Sequence, residues 1–383
     1  MVTIPYGKQN ITQEDIDGVI EVLHSDFMTQ GPKVHEFEKK FAKYIGCRYA
    51  VAVSNGTAAL HLSALAMNVK PEIKVITTPI TFAASANCVL YCQGEIDFVD
   101  IDETTFLIDL DKLERKLASV PKGTYQGVIP VDFTGLPVDT ERLREIADKY
   151  GLWIIEDACH APGGYFINSE NKKVFCGDGQ YADLSIFSFH PVKHIATGEG
   201  GMITTNNKEL YEKLLLLRTH GITKSPELLN ENHGGWYYEM QDLGYNYRLP
   251  DLSASLGITQ LAKADKGLKR RNEIANKYFE AFKNNSVKAQ LFSDKFYNAF
   301  HLFVIQVEDR LGLYNYLKNN NIFAQVHYIP VHLQPYYRNL GWKKGDMPVA
   351  ESYYEKCLSL PMFPTLTDEE QTFVIKKVLE FIQ

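Results

Sequence analysis

The sequence predicts an α/β protein: a large, mostly parallel, seven-stranded sheet with helices on both faces, followed by a smaller α+β domain. Three observations lead there. Short strand-like apolar runs alternate with helical runs of roughly 8 to 14 residues over the first half of the chain. A long helical stretch over 251–282 then breaks the alternation, and a shorter set of strand and helix signals follows it. The 383 residues, 45% of them hydrophobic, supply enough chain for two or three domains and a large core. The expected division is an N-terminal arm and large domain over 1–250, then a linker helix and small C-terminal domain over 251–383.

The elements follow in order. Ile16, Val19, Ile20 and Leu23 recur at helical spacing behind Gln13, Glu14 and Asp15, acids that suit a first turn. The turn Thr29-Gln30-Gly31-Pro32 interrupts them, and a second helix runs over 34–44. Strands are expected at 51–53, 75–78, 96–99, 128–131, 153–156, 184–188 and 202–204. The helices between them run to Met67 and over 82–92, 111–118 and 140–150. The polar run 167–174 reads as a surface hairpin or loop. Leu256, Leu261, Leu268 and Ile274 mark apolar stripes of the helical 251–282 region. A strand at 302–306, a helix over 311–318, a strand at 324–327 and a final helix from Asp368 complete the chain.

Composition excludes some functions. A formal net charge of −7 gives no support to nucleic-acid or anionic-membrane binding, which need a basic patch. No run approaches the roughly 18 apolar residues of a membrane span, and the first residues lack an apolar core of signal-peptide length. A cytoplasmic location is expected. Cys47, Cys88, Cys92, Cys159, Cys176 and Cys357 form no disulfide or zinc framework, so reduced thiols and no metal are expected.

Three motifs carry chemistry. Lys193 closes Ser188-Phe189-His190-Pro191-Val192-Lys193, just after an apolar strand and before the flexible run Gly198-Glu199-Gly200-Gly201. A lysine so placed suits a Schiff base with a carbonyl cofactor. Upstream, Ile154-Ile155-Glu156-Asp157-Ala158-Cys159-His160 reads as a buried strand ending in carboxylates, where an acid can hold a positive ring nitrogen. In Val51-Ala52-Val53-Ser54-Asn55-Gly56-Thr57-Ala58-Ala59-Leu60, a strand, a Gly turn and a helix start make an anion site. Phosphate site, ring-nitrogen acid and Schiff-base lysine together describe pyridoxal 5′-phosphate. Each residue taken singly has a plainer reading: Lys193 as a surface charge, Asp157 as a turn or N-cap residue, His160 as a core or helix-start histidine.

These motifs, with Leu243-Gly244-Tyr245-Asn246-Tyr247-Arg248-Leu249-Pro250-Asp251, resemble those of the DegT/DnrJ/StrS sugar-nucleotide aminotransferases over nearly the whole chain. The resemblance implies a fold-type I pyridoxal-phosphate enzyme in which Lys193 forms the Schiff base and then moves protons, while Asp157 holds the ring nitrogen. It implies phosphate contacts from Gly56, Thr57 and Ser188, and a fourth from Asn246 of a neighbouring subunit, hence a homodimer with shared sites. Phe82 would stack on the cofactor and His160 lie near its ring. Plainer readings remain: Asn246 as a left-handed turn residue and Phe82 as core. Some relatives carry His in place of the lysine and are dehydratases; with Lys193 intact, transamination is implied.

The implied donor is L-glutamate and the acceptor a UDP-linked sugar, a UDP-4-keto-6-deoxy-N-acetylhexosamine aminated at C4. Three runs, 27–34, 191–201 and 324–332, are similar to the branch acting in pseudaminic acid biosynthesis. On that resemblance Thr29, Gly31, His327 and Tyr328 line the nucleotide-sugar side; His327-Tyr328-Ile329-Pro330 is equally readable as a strand end before a proline turn. A bacillosamine- or perosamine-type aminotransferase is the alternative. A dinucleotide oxidoreductase is excluded, because 54–59 offers one glycine where that fingerprint needs three.

Overall fold

The computed structural model describes residues 3–382. Seven strands form the large sheet: β1 (Tyr49–Val53), β2 (Lys74–Thr77), β3 (Glu95–Phe98), β4 (Gly127–Ile129), β5 (Trp153–Asp157), β6 (Leu184–Ser188) and β7 (Gly201–Thr205). Their spatial order is β1-β7-β6-β5-β4-β2-β3. Only β7 runs against the others, antiparallel to both neighbours. The strands are apolar along most of their length because helices cover both faces of such a sheet. Their buried hydroxyls are paired: Thr204 donates to the Gly177 carbonyl at 2.7 Å and Thr205 to that of Asp183 at 2.8 Å.

Caps set the helix starts. The side chain of Asn55 accepts from the Ala58 N–H at 2.7 Å, Asp109 from Lys112 at 2.9 Å and Asp139 from Arg142 at 3.1 Å. The helix Gly56–Ala66 that Asn55 opens is buried almost all round, packed on β6 and β7.

Two expectations are corrected. The 251–282 region is two helices, Asp251–Ala262 and Ala264–Phe282, broken at Lys263. Lys263 leaves helical geometry, and its ammonium reaches Thr12 Oγ1 (3.0 Å) and the buried Asp15 of the helix Gln13–Leu23. The first helix of the pair packs on Gln13–Leu23 and on Pro32–Ile45. No strand forms over 324–327, where a single bridge joins Gln325 to Ser359. The His327 carbonyl is taken by the Tyr353 hydroxyl (2.7 Å) and its Nδ1 meets Ser359 Oγ (2.8 Å), so side chains occupy what a strand ladder needs. The strand Phe303–Gln306 is flanked instead by Lys288–Ala289 and Cys357–Leu360, the latter a short apolar run that periodicity cannot separate from the preceding helix.

The polar 167–174 run is the hairpin expected, Tyr165–Ile167 pairing with Lys173–Phe175. A separate apolar cluster of Ile274, Tyr278, Phe303, Leu313, Leu358 and Val374 also takes in Ile4. The N-terminal segment is stitched there: the Phe323 N–H donates to the Ile4 carbonyl (2.9 Å) and that of Met362 to the Tyr6 carbonyl (2.9 Å). No described helix is long and apolar enough to cross a membrane.

Candidate active site

The carboxyl edge of the sheet brings three segments together: the turn after β1, Asp157 at the end of β5 and Ser188 at the end of β6. They border a cavity of about 780 Å³, in the range of ligand sites.

Asp157 is 5% exposed. Its Oδ2 accepts from Ser85 Oγ at 2.6 Å and its Oδ1 from the Cys159 N–H at 3.2 Å. Among the described residues no cation lies within ion-pair distance of it, and only Lys193 acts on it from farther off. A buried carboxylate so weakly compensated is unfavourable, and a cationic group arriving through the cavity relieves it.

Lys193 stands in the loop 189–200, its N–H bonded to the His190 carbonyl at 2.8 Å. Desolvation lowers the pKa of its amine; Cys159 and Asp157 oppose the shift, and the buried Arg271 adds to it. The amine is thereby moved toward the range in which it exchanges protons near neutral pH.

At the start of Gly56–Ala66 the Asn55 side chain and carbonyl take the N–H groups of Ala58 and Ala59. Those of Gly56 and Thr57 have no acceptor among the described residues, and both residues line the cavity, an anion cradle at the positive end of a helix. A Cβ at Gly56 would sit 3.0 Å from that of Ser188, so glycine lets the two segments meet.

His160 is buried, with Nε2 3.3 Å from the Tyr328 hydroxyl and Nδ1 unpartnered. Burial drives its pKa well below the usual value, and Lys193, His327 and His194 push the same way. Burial, with Lys193, takes His327 down to about 3. Both imidazoles are neutral at neutral pH. Phe82 is 63% exposed, yet it lines the cavity with its ring 6.3 Å from that of Tyr328; it is no core residue.

The donor set fits an anionic carbonyl cofactor with a cationic ring: free N–H groups for a phosphate, a carboxylate without a direct ion pair for the ring nitrogen, an exposed aromatic face and an amine whose pKa burial lowers. Residues 9–379 match the DegT/DnrJ/EryC1/StrS aminotransferase family. The chain belongs to that family. It is a pyridoxal-phosphate-dependent sugar aminotransferase. The UDP-4-amino-4,6-dideoxy-N-acetyl-beta-L-altrosamine transaminase of Campylobacter jejuni (strain 81-176) is 39% identical over 97% of this chain and 95% of its own. The spore coat polysaccharide biosynthesis protein SpsC of Bacillus subtilis is 38% identical over 99% and 97%. The solved structure of Helicobacter pylori PseC, an aminotransferase involved in pseudaminic acid biosynthesis, superposes with a TM-score of 0.87 at 30% identity, covering 100% of this chain and 99% of that one.

The cavity of this aminotransferase gathers Gly56, Thr57, Phe82, Asp157, His160, Ser188, Lys193, His327 and Tyr328. Asn246, Thr29 and Gly31 lie outside the cavity of their own chain. Asn246 is exposed and bridges to Thr219 in extended, not left-handed, backbone. Gly31 caps Pro32–Ile45, and its N–H donates to Asp251 Oδ2 at 2.7 Å. Among the lining residues that escaped sequence reasoning are Tyr6, Ser85 and His301. Tyr6 arrives on the N-terminal segment, and His301, its ring 4.3 Å from that of His160, arrives on the chain leading into Phe303–Gln306; neither has a local signal. Ser85 had one, a hydroxyl one helical turn after Thr81.

Glu156, beside Asp157, points the other way. It accepts from Ser185 Oγ (2.6 Å) and the Gly177 N–H (2.9 Å). It lies near Asp132 and Cys176, with the ligand-type atoms of all three within 4.8 Å of one another. Burial raises all three pKa values, Glu156 to about 7, so the cluster retains protons.

Proposed function

We propose that the enzyme moves the amino group of L-glutamate to C4 of a UDP-4-keto-6-deoxy-N-acetylhexosamine in pseudaminic acid biosynthesis, acting as a cytoplasmic homodimer. When bound, pyridoxal phosphate supplies a carbon for amine exchange and a protonated ring that takes up electron density. In this reading Gly56, Thr57 and Ser188 hold its phosphate, joined by Asn246 of the partner subunit, an assignment its exposure outside its own cavity supports. Asp157 keeps the ring nitrogen protonated and Phe82 covers one face. Lys193 Nζ would hold the cofactor and, once displaced by the donor amine, would serve as the base and acid that takes up and returns a proton beside the reacting carbon. His160, neutral and bonded to Tyr328, orients without competing for that proton. Residues 251–383 act as a linker helix and small domain that present His327 and Tyr328 to the nucleotide sugar; Thr29 and Gly31 reach the sugar side of the partner's site.

The observation that carries the choice of sugar is the 39% identity, over nearly full length, to a transaminase named for the altrosamine product. The test is visible absorption of the purified holoenzyme. A cofactor band lost with L-glutamate and restored by UDP-4-keto-6-deoxy-N-acetyl-altrosamine is expected. A band lost but not restored moves the acceptor to another nucleotide sugar.

A further inference from the structure

Behind Asp157 lies a chain of two hydroxyls. Ser85, in the first turn of the helix Ala84–Tyr91, is 0% exposed and Thr81 is 2% exposed. Thr81 Oγ1 and Ser85 Oγ lie 2.7 Å apart, and Ser85 Oγ lies 2.6 Å from Asp157 Oδ2. A hydroxyl has one proton to give. A carboxylate can only accept, so Ser85 donates to Asp157 and Thr81 donates to Ser85. The same turn carries Phe82 into the cavity.

From this juxtaposition we propose that Ser85, held in place by Thr81, is a positioning residue: it fixes the orientation of the Asp157 carboxylate, so that the ring nitrogen of the cofactor meets a correctly aimed partner. The inference rests on the assignment of Asp157 to that nitrogen. The second donor, the Cys159 N–H at 3.2 Å, is longer, which leaves Ser85 as the stronger restraint. Deleting Ser85 Oγ therefore leaves the Asp157 carboxylate free to turn, and binding that depends on its aim at the ring nitrogen weakens.

The test uses pyridoxamine 5′-phosphate, which lacks the aldehyde and so reports non-covalent contacts alone. It is titrated into cofactor-free wild type, Ser85→Ala, Ser85→Thr, Thr81→Val and Asp157→Ala, with melting temperature measured for each. We expect Ser85→Ala to bind about tenfold more weakly, the equivalent of about 1.4 kcal/mol. Thr81→Val weakens binding less, and Ser85→Thr restores it. Wild-type affinity in Ser85→Ala, with Asp157→Ala impaired, would overturn the role of Ser85 alone. Normal binding by Asp157→Ala would overturn the assignment beneath it. If Ser85→Ala melts too low to titrate, Thr81→Val decides: wild-type affinity refutes the chain.

Discussion

Replacing Asp157 by Asn separates the needs of the cofactor from those of the fold. The change keeps shape and removes one negative charge. On the stability side, the amide oxygen still accepts from Ser85, while the NH2 group now faces the Cys159 N–H that the carboxylate accepted at 3.2 Å. Losing that bond costs about 1 kcal/mol. Removing a buried charge that has no cation in direct contact offsets a similar amount, so cofactor-free stability should change by less than about 1 kcal/mol. On the binding side, a charge-assisted hydrogen bond to the ring nitrogen is lost, worth about 1.5–3 kcal/mol. That corresponds to roughly 10- to 150-fold weaker binding of pyridoxamine 5′-phosphate. Titration and chemical denaturation of the same preparation read the two effects. Wild-type affinity, or a loss of affinity that merely follows a loss of stability, would refute the reasoning.

Further outcomes are expected. Lys193→Ala should fold, lack the visible band of the covalently held cofactor and show no turnover; normal turnover would remove Lys193 from the chemistry. Co-expressed Lys193→Ala and Asn246→Ala subunits should recover activity that neither has alone, and no recovery in isolated mixed dimers would argue against shared sites. Glu156 binds its proton more tightly folded than unfolded, because burial lifts its pKa from 4.5 to about 7. Its contribution is complete below pH 4.5 and declines as pH rises through about 7, a loss of up to about 3 kcal/mol. Glu156→Gln should remove most of that decline in denaturation between pH 5 and 8, and an equal decline in both proteins would exclude Glu156 as its source.

The large sheet was legible because its strands are short apolar runs that alternate regularly with helical runs. Lys193, Asp157 and Gly56 were legible because their motifs sit directly at strand ends, where chain order and spatial order agree. Legibility failed where position depends on a distant partner. Lys263 breaks a helix to meet Asp15, some 250 residues earlier in the chain. His327 leaves strand geometry for Ser359 and Tyr353, and Tyr6 reaches the cavity only because Ile4 pairs beside Ile322. Residues 12–23 read as a helix with an apolar stripe, but Ile16, Ile20 and Leu23 of that stripe remain exposed in the single chain. Periodicity identifies an apolar face without saying what covers it.

The reversed direction of β7 fixes more than strand order. Ser188 and Gly201 pair at the mouth of the loop that holds Lys193, and Gly201 also pairs with Val53. A Cβ at Gly201 would lie 2.5 Å from the Asn55 carbonyl oxygen and 3.0 Å from the Gly56 nitrogen. Glycine there acts as a stop on the sliding of β7 between its neighbours. A slip of one residue would displace the strand by about 3.3 Å and turn its side chains to the opposite faces. The distance between lysine and anion cradle is thus written in strand alignment, and a loop of varied sequence can join the two without disturbing it.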